Sequence, residues 1–373
     1  MTKNRYFEDF SIGEIIDHAT PRTITQGDVS MGLALYGNRH ALMSSTPFAK
    51  QLGYRDRPLD DVLVFNMIFG KSVPDISTHA IANLGYGEGL FCAPVYCGDT
   101  LSARSEVLGL RENKNGKSGI VMVRTHGFKQ SFKGGFNQDK VCVLHYVRWV
   151  MVHKRDPIKN KNLPDTRSSI DLPSLDLPSI DLPPVAPFVE PKDLIPPPVD
   201  FSKTDDMSAG SAKRFGDYKI GEQIFHCGGT TLSQAEHMMA TRLYQNTAHV
   251  HFNAQGQAAT PHKKRLIYGG HIIAHIRAMS FDGLENAHCL AAINGGTHLA
   301  PAFAEDTIYG ASTILDKAEV QDRSDIGAPY LRTDVGAVRV RHIATINQPP
   351  TPSSFSDKTH LILDFDCWLW MPK

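Results

Sequence analysis

The chain has 373 residues, about twice the usual single-domain length, so two domains or one duplicated domain is the first expectation. Thirty-nine basic and 39 acidic residues cancel, which leaves no electrostatic case for a nucleic-acid or anionic-membrane partner. The N-terminal MTKNRYFEDFSIGE shows no apolar leader, and the longest apolar run, near LVFNMIF, is too short to span a bilayer, so a cytoplasmic protein is expected.

In chain order, a polar, helix-capable segment (about 25–52) precedes a longer apolar helix, 60-DDVLVFNMIFGKSV-73. Three alternating strands follow, LSARSEVLGL, GIVMVRTHGF and VCVLHYVRWVMV, with Asn115-Gly116 marking a hairpin between the first two. Residues 153–212 hold eleven of the 23 prolines, and their centre, IDLPSLDLPSIDLPP (170–184), repeats a five-residue unit three times. Proline removes backbone donors and holds its neighbours extended, so this segment reads as a tether, or less simply as a docking motif. A second polar segment (233–255) and a second apolar helix, 270-GHIIAHIRAMSFDGL-284, follow it. A long helix followed by antiparallel strands is an α+β layer, with the sheet wrapped around the helix.

The two halves are copies. At a shift of 208, Phe7-Glu-Asp-Phe-Ser-Ile-Gly-Glu14 falls on Phe215-Gly-Asp-Tyr-Lys-Ile-Gly-Glu222, and Leu35-Tyr-Gly-Asn38 on Leu243-Tyr-Gln-Asn246. Ala93-Pro and Asp99-Thr100 match Ala300-Pro and Asp306-Thr307 at 207, and Gly119-Ile-Val-Met-Val-Arg124 matches Gly336-Ala-Val-Arg-Val-Arg341 at 217. The resulting division is residues 1–155, a linker at 156–212, and 213–373. Five residues after the aligned asparagine the later copy carries His251, whereas the earlier one carries Met43. Histidine is the side chain that exchanges protons near neutral pH. His249 also stands in this segment, and in an extended chain the two would face opposite ways.

Six scattered cysteines lack Cys-x-x-Cys or zinc-type spacing, so reduced structural thiols are expected and no metal is implied. The glycine-rich GYGEG (85–89) and NGG (294–296) lack nucleotide-loop spacing. No cofactor is expected.

An Asx-x4-His segment before a helix that antiparallel strands wrap resembles the MaoC-like hydratases of the hotdog fold. More narrowly, NRYFEDF, HATPRTIT, PLDDVLVFNMIFGKSVPD, GLRENKNGKSGIVMVR, HYVRWVMV, ATRLYQNTAHVHFN and RLIYGGHI resemble the mesaconyl-CoA hydratase (β-methylmalyl-CoA dehydratase) family. The resemblance covers both halves and leaves out mainly 160–212 and 346–358. It implies a double hotdog, an acyl-CoA thioester substrate and a cofactor-independent hydro-lyase. In this reading the 213–373 half is catalytic, the first half carries a degenerate site, and the expected assembly is a homodimer.

The chemistry requires a base for water, a proton for the α-carbon, and donors for the thioester oxygen as enolate charge develops. The resemblance assigns the base to His251. It places Asn246 where the wider family has an aspartate, and an amide holds water but takes no proton. Either His251 makes both transfers or a carboxylate elsewhere supplies the second; Glu236 is nearest in sequence, and Asp60 and Asp61 sit in the other half. The oxyanion donor is expected at the helix start, from Gly270, with Gly269 permitting close approach. Tyr244 and Tyr268 are expected to contact substrate. Arg242, Arg265 and Arg277 are candidates for the free carboxylate of the family's substrate. A hotdog thioesterase and a non-catalytic acyl-CoA-binding protein are the alternatives.

Overall fold

The computed structural model describes residues 4–131, 140–156, 182–322 and 330–373. Strand β1 (Ile15–Thr23) leads to Thr25, whose hydroxyl accepts the Asp28 N–H and starts helix α1 (Gln26–Tyr36). Two short helices, α2 (Ala41–Ser44) and α3 (Thr46–Leu52), precede the apolar helix α4 (Asp61–Ile76). Strands β2 (Ala80–Phe91), β3 (Thr100–Glu112), β4 (Ser118–Gln130) and β5 (Val141–His153) complete the first half. The expected hairpin joins β3 to β4, with Gly116 at φ +64°.

After a single turn, α5 (Asp206–Ala209), the second half repeats the plan with β6 (Gln223–Phe225), β7 (Thr230–Thr231), α6 (Gln234–Tyr244), α7 (His249–Phe252), α8 (Ala254–Ala258) and α9 (Gly269–Met279). Strands β8 (Cys289–His298), β9 (Thr307–Asp322), β10 (Tyr330–Ile346) and β11 (Leu361–Pro372) follow. Helices α6, α7, α8 and α9 begin at 234, 249, 254 and 269, each 208 residues after α1, α2, α3 and α4 at 26, 41, 46 and 61. Equivalent side chains bond alike. His18 Nε2 meets Ser105 Oγ at 2.7 Å, and His226 Nε2 meets Ser312 Oγ at 2.7 Å.

All strands join one antiparallel sheet, ordered β1-β3-β4-β5-β2-β8-β11-β10-β9-β6, with β7 paired to β9. The seam between the halves is β2 against β8, with Tyr86 opposite Gly296 and Gly87 opposite Gly295. The two glycine-rich stretches that carry no nucleotide spacing therefore meet here. A Cβ on Gly85 would lie 2.5 Å from the Trp149 ring, and one on Gly296 would lie 2.8 Å from the Tyr86 ring. The strands approach this closely because side chains are missing.

Helices α4 and α9 pack together against the sheet, and one apolar cluster runs through both halves, including Phe65, Ile68, Ile272, Ile276, Val340 and Leu369. The halves therefore do not fold around separate cores. Helix α4 continues past the expected end, through Pro74 to Ile76, where the Thr78 hydroxyl donates to the Pro74 carbonyl at 3.0 Å. Helix α9 stops at Met279, five residues short of the expected 284, and Gly283 turns the chain at φ +95°.

Most of the five-residue repeat at 170–184 lies outside the described residues. The described part of the linker is laid along the protein. Leu194 and Phe201 are buried, the Trp368 indole donates to the Val189 carbonyl at 3.0 Å, and Asp200 N–H donates to Leu52. The six cysteines are free. Among the described residues, no helix is long and apolar enough to cross a membrane.

Candidate active site

A cavity of about 600 Å³ opens between the halves. The first half supplies Phe69 of α4, Asn83 and Tyr86 of β2 and Arg148 of β5 to its wall; the second supplies 248–251, Leu266–Gly269 and His298. The equivalent place in the first half, among Tyr36, Asn38, Met43 and Asp60, encloses only about 20 Å³.

The segment carrying His251 is a helical turn, not an extended strand, since His251 N–H bonds to Ala248 and Asn253 N–H to His249. Consequently His249 and His251 do not face opposite ways; both line the cavity. His251 Nδ1 lies 2.8 Å from the Leu266 carbonyl. A carbonyl oxygen only accepts, so Nδ1 carries the hydrogen and Nε2 keeps its lone pair. Nε2 has no hydrogen-bond partner among the described residues. Burial pushes the His251 pKa down to about 4, against the opposing pull of the Leu266 carbonyl, so the ring is neutral near pH 7.

Asn246 is buried, its Oδ1 accepts Ala248 N–H at 3.3 Å, and its Nδ2 is a buried donor without an acceptor. Asn246 also lines the cavity. Beside it, His237 Nε2 accepts the Tyr268 N–H at 3.0 Å and so fixes the entry to α9. Burial first, and His251 second, hold His237 near pKa 3.

No side chain caps the N-terminus of α9, so its first N–H groups are available. Gly269 lines the cavity, whereas Gly270 lies behind it and is buried. A Cβ at Gly269 would fall 2.2 Å from His298 Nε2, and one at Gly270 would fall 1.9 Å from Asn66 Oδ1. The first half ends this design. At the start of α4 the Asp60 carboxylate accepts Val62 N–H at 2.8 Å and Leu63 N–H at 3.1 Å, occupying the helix terminus with an anion of its own.

Of the two tyrosines, Tyr268 lines the cavity with its ring 5.5 Å from that of His251, and its hydroxyl donates to Asn66 Oδ1 at 2.8 Å. Tyr244 does not line the cavity; its hydroxyl donates to that of Tyr36, its counterpart across the repeat. The arginines singled out from sequence also lie off the cavity wall. Arg242 is exposed and stands over Phe252, Arg265 borders a separate surface depression, and Arg277 is buried between the halves on His40 Nε2 at 2.6 Å. Arg242 lies on α6 and Arg277 on α9, whereas Arg265 lies in the segment that joins α8 to α9.

No aspartate or glutamate is among the described residues lining the cavity. Glu236 sits half-exposed on α6, Asp60 caps α4, and Asp61 accepts Leu290 N–H at 2.8 Å with its pKa pushed up to about 8 by burial, then by Asp60. Three side chains that sequence did not single out complete the site: His298, Arg148, and Asn66, whose Nδ2 donates to the Gly270 carbonyl at 3.1 Å. Among the described residues no group of His, Cys, Asp and Glu is arranged to hold a metal ion.

Two helices side by side under one shared antiparallel sheet, with a histidine-lined cavity at the start of one of them, define a double hotdog of the MaoC-like dehydratase type. A family model described as mesaconyl-CoA hydratase matches residues 1–364. The chain is 48% identical to the β-methylmalyl-CoA dehydratase of Chloroflexus aurantiacus over 374 residues (99% of this chain, 97% of that protein). It is 44% identical to the mesaconyl-CoA hydratase of Cereibacter sphaeroides over 376 residues, 99% and 98% of the two chains. A Chloroflexus aurantiacus crystal structure described as a MaoC domain protein dehydratase superposes with a TM-score of 0.85 at 46% identity, covering 100% of this chain and 99% of that one. The chain belongs to the mesaconyl-CoA hydratase family, and it is a hydro-lyase.

Proposed function

We propose that the protein reversibly adds water to mesaconyl-CoA to give β-methylmalyl-CoA, using the 600 Å³ cavity between its halves. The observation that carries the residue assignment is His251, whose Nδ1 is committed to Leu266 and whose Nε2 stands free in a cavity with no carboxylate among its described lining residues.

In the forward direction Asn246 Nδ2, a buried donor without an acceptor, holds the water oxygen. His251 Nε2 takes one proton as the oxygen bonds to the β-carbon. The π-electron pair moves toward the α-carbon and thioester oxygen, where N–H groups of the uncapped first turn of α9 receive the charge. We assign this donor to Gly269, which faces the cavity, in place of Gly270 behind it. His251 then returns the proton to the α-carbon, so water adds with no net change in the enzyme. One base makes both transfers because no described carboxylate reaches the substrate. The same feature weighs against a thioesterase that works through a carboxylate.

The test follows the enoyl-thioester absorbance of mesaconyl-C1-CoA. Wild type consumes it, and His251→Ala lowers kcat/KM by about 10²- to 10⁴-fold. Undiminished activity in His251→Ala would overturn the assignment, and release of free CoA thiol would make the protein a thioesterase.

A further inference from the structure

Arg148 is a strand residue flanked by Val147, Trp149 and Val150, and it is fully buried. Its guanidinium lies 4.4 Å over the Phe69 ring and donates only to neutral groups: Ser77 Oγ at 3.0 Å, Ser72 Oγ at 2.9 Å and Asn83 Oδ1 at 3.5 Å. Its Nε–H is buried without an acceptor, and so is the Nδ2 donor of neighbouring Asn83. No carboxylate among the described residues pairs with it.

A buried cation without a counter-ion is costly, and proteins seldom keep one unless an anion arrives from elsewhere. Other arginines in this chain follow the usual pattern: Arg339 pairs with Asp366 at 2.6 Å and Arg341 with Asp364 at 2.7 Å. Arg277, also buried, does not border the cavity. Arg148 and Asn83 do, so both residues belong to the wall of the space that His251 faces.

Resting on the hydration reading, we propose that Arg148 and Asn83 form the subsite for the free carboxylate of the acyl group, which makes the enzyme selective for enoyl thioesters ending in a carboxylate. In mesaconyl-C1-CoA that carboxylate is bonded to the β-carbon that takes the water. Its negative charge repels an incoming oxygen nucleophile, and pairing with a guanidinium in a dry site removes that repulsion where the bond forms. The fork of N–H donors matches a planar carboxylate, and the serines and Phe69 hold the fork in place before substrate arrives.

The test compares two saturated thioesters that cannot be hydrated, methylsuccinyl-C1-CoA and 2-methylbutyryl-CoA, which differ by carboxylate against methyl. Calorimetry on the full chain should show wild type preferring the carboxylate ligand by about 10- to 100-fold, and Arg148→Met erasing that preference while 2-methylbutyryl-CoA binds as before. Asn83→Asp supplies Arg148 with a built-in counter-ion and should erase the preference in a protein whose buried charge is now paired, so poor folding of Arg148→Met leaves the proposal testable. In turnover, Arg148→Met should lose mesaconyl-C1-CoA activity by 10²-fold or more, with tiglyl-CoA, its methyl-for-carboxylate counterpart, affected less than threefold. Equal affinities for the two saturated ligands in wild type, or a preference that survives both variants, would overturn the subsite. A preference that behaves as described in a protein that hydrates neither enoyl thioester supports the subsite and overturns the hydration reading alone.

Discussion

Residues 38–63 and 246–271 occupy equivalent places in the two halves, on helices that begin 208 residues apart, yet one encloses about 20 Å³ and the other borders about 600 Å³. The difference comes from three exchanges. Met43 stands where the second half has His251; Asp60 stands at the helix start where the second half has Tyr268; and Asp61 stands where the second half has Gly269. Asp60 caps α4 from within, so the dipole that α9 leaves open is already satisfied. Closing the cavity here required no loss of fold. The same changes give α4 a well-capped, buried start, and α4 then supports the second half: Asn66 holds Tyr268 and Gly270, Phe69 lies under Arg148, and Gly70 admits the chain just before Asn246.

The dependence of the second site on the first half is open to a direct break. A Cβ on Gly70 would sit 1.7 Å from the Tyr244 carbonyl oxygen, a backbone atom that moves only with the turn leading to Asn246. Gly70→Ala should therefore cost about 3 kcal/mol or more in unfolding free energy, the upper end for overpacking, and remove activity with it. Gly32→Ala, also in the first half, meets only a Leu63 methyl at 3.1 Å. That side chain can turn aside, so the change should cost under about 1 kcal/mol. Denaturant melts of the two variants check the ranking. Similar values would mean that α4 is not held against α6 as closely as the geometry shows.

Element positions were legible because the chain states them twice. A shift of 208 read from Phe7-Glu-Asp-Phe and Leu35-Tyr-Gly-Asn places every helix start of the second half. Within the repeat, the break at His251 against Met43 marked the site, and the family resemblance added Asn246, Tyr268 and Gly269, which also line the cavity. Arg148 was hidden by its context. The string HYVRWVMV specifies a strand, but whether its one arginine meets solvent, a carboxylate or a cavity is decided by Phe69 and by residues more than 60 positions away in sequence. The glycines at 85–89 and 294–296 were likewise unreadable singly, since each stretch explains the other only when β2 pairs with β8. Closeness in sequence to the motif singled out Arg242, Arg265 and Arg277, and closeness in sequence does not say which side chains look toward the cavity.

The electrostatic side of the comparison rests on burial of His251. An ordinary histidine titrates near 6.5 and, as a base, would lose about 30-fold in kcat/KM on going from high pH to pH 5. With its pKa held near 4, His251 stays neutral over that range. With the neutral ring as the proposed base, kcat/KM should fall less than twofold between pH 8 and pH 5, and tenfold per unit only below about 4. The pH profile of kcat/KM, restricted to conditions in which circular dichroism shows the protein folded, decides this. An inflection near 6.5 would mean that water reaches Nε2 and that burial does not hold the ring neutral.

Asn246→Asp is the finer probe, because it changes charge while keeping shape. Asn246 keeps its amide nitrogen unpaired at the cavity wall, and a carboxylate there would favour the protonated form of a neighbouring imidazole. The acid limb of kcat/KM should therefore move upward by about one unit or more, toward 5. At pH 8 the rate should change by less than about tenfold. The carboxylate still positions the water and can also accept its proton, which offsets the loss of the donor that fixed the oxygen. The corresponding change in the first half, Asn38→Asp, sets a like charge against Asp60, whose carboxylate now accepts from Asn38 Nδ2. It should disturb the cap of α4 and leave the pH limb where it was. A limb shifted equally by both variants would mean that His251 responds to the overall charge of the protein, and that Asn246 does not share a site with it.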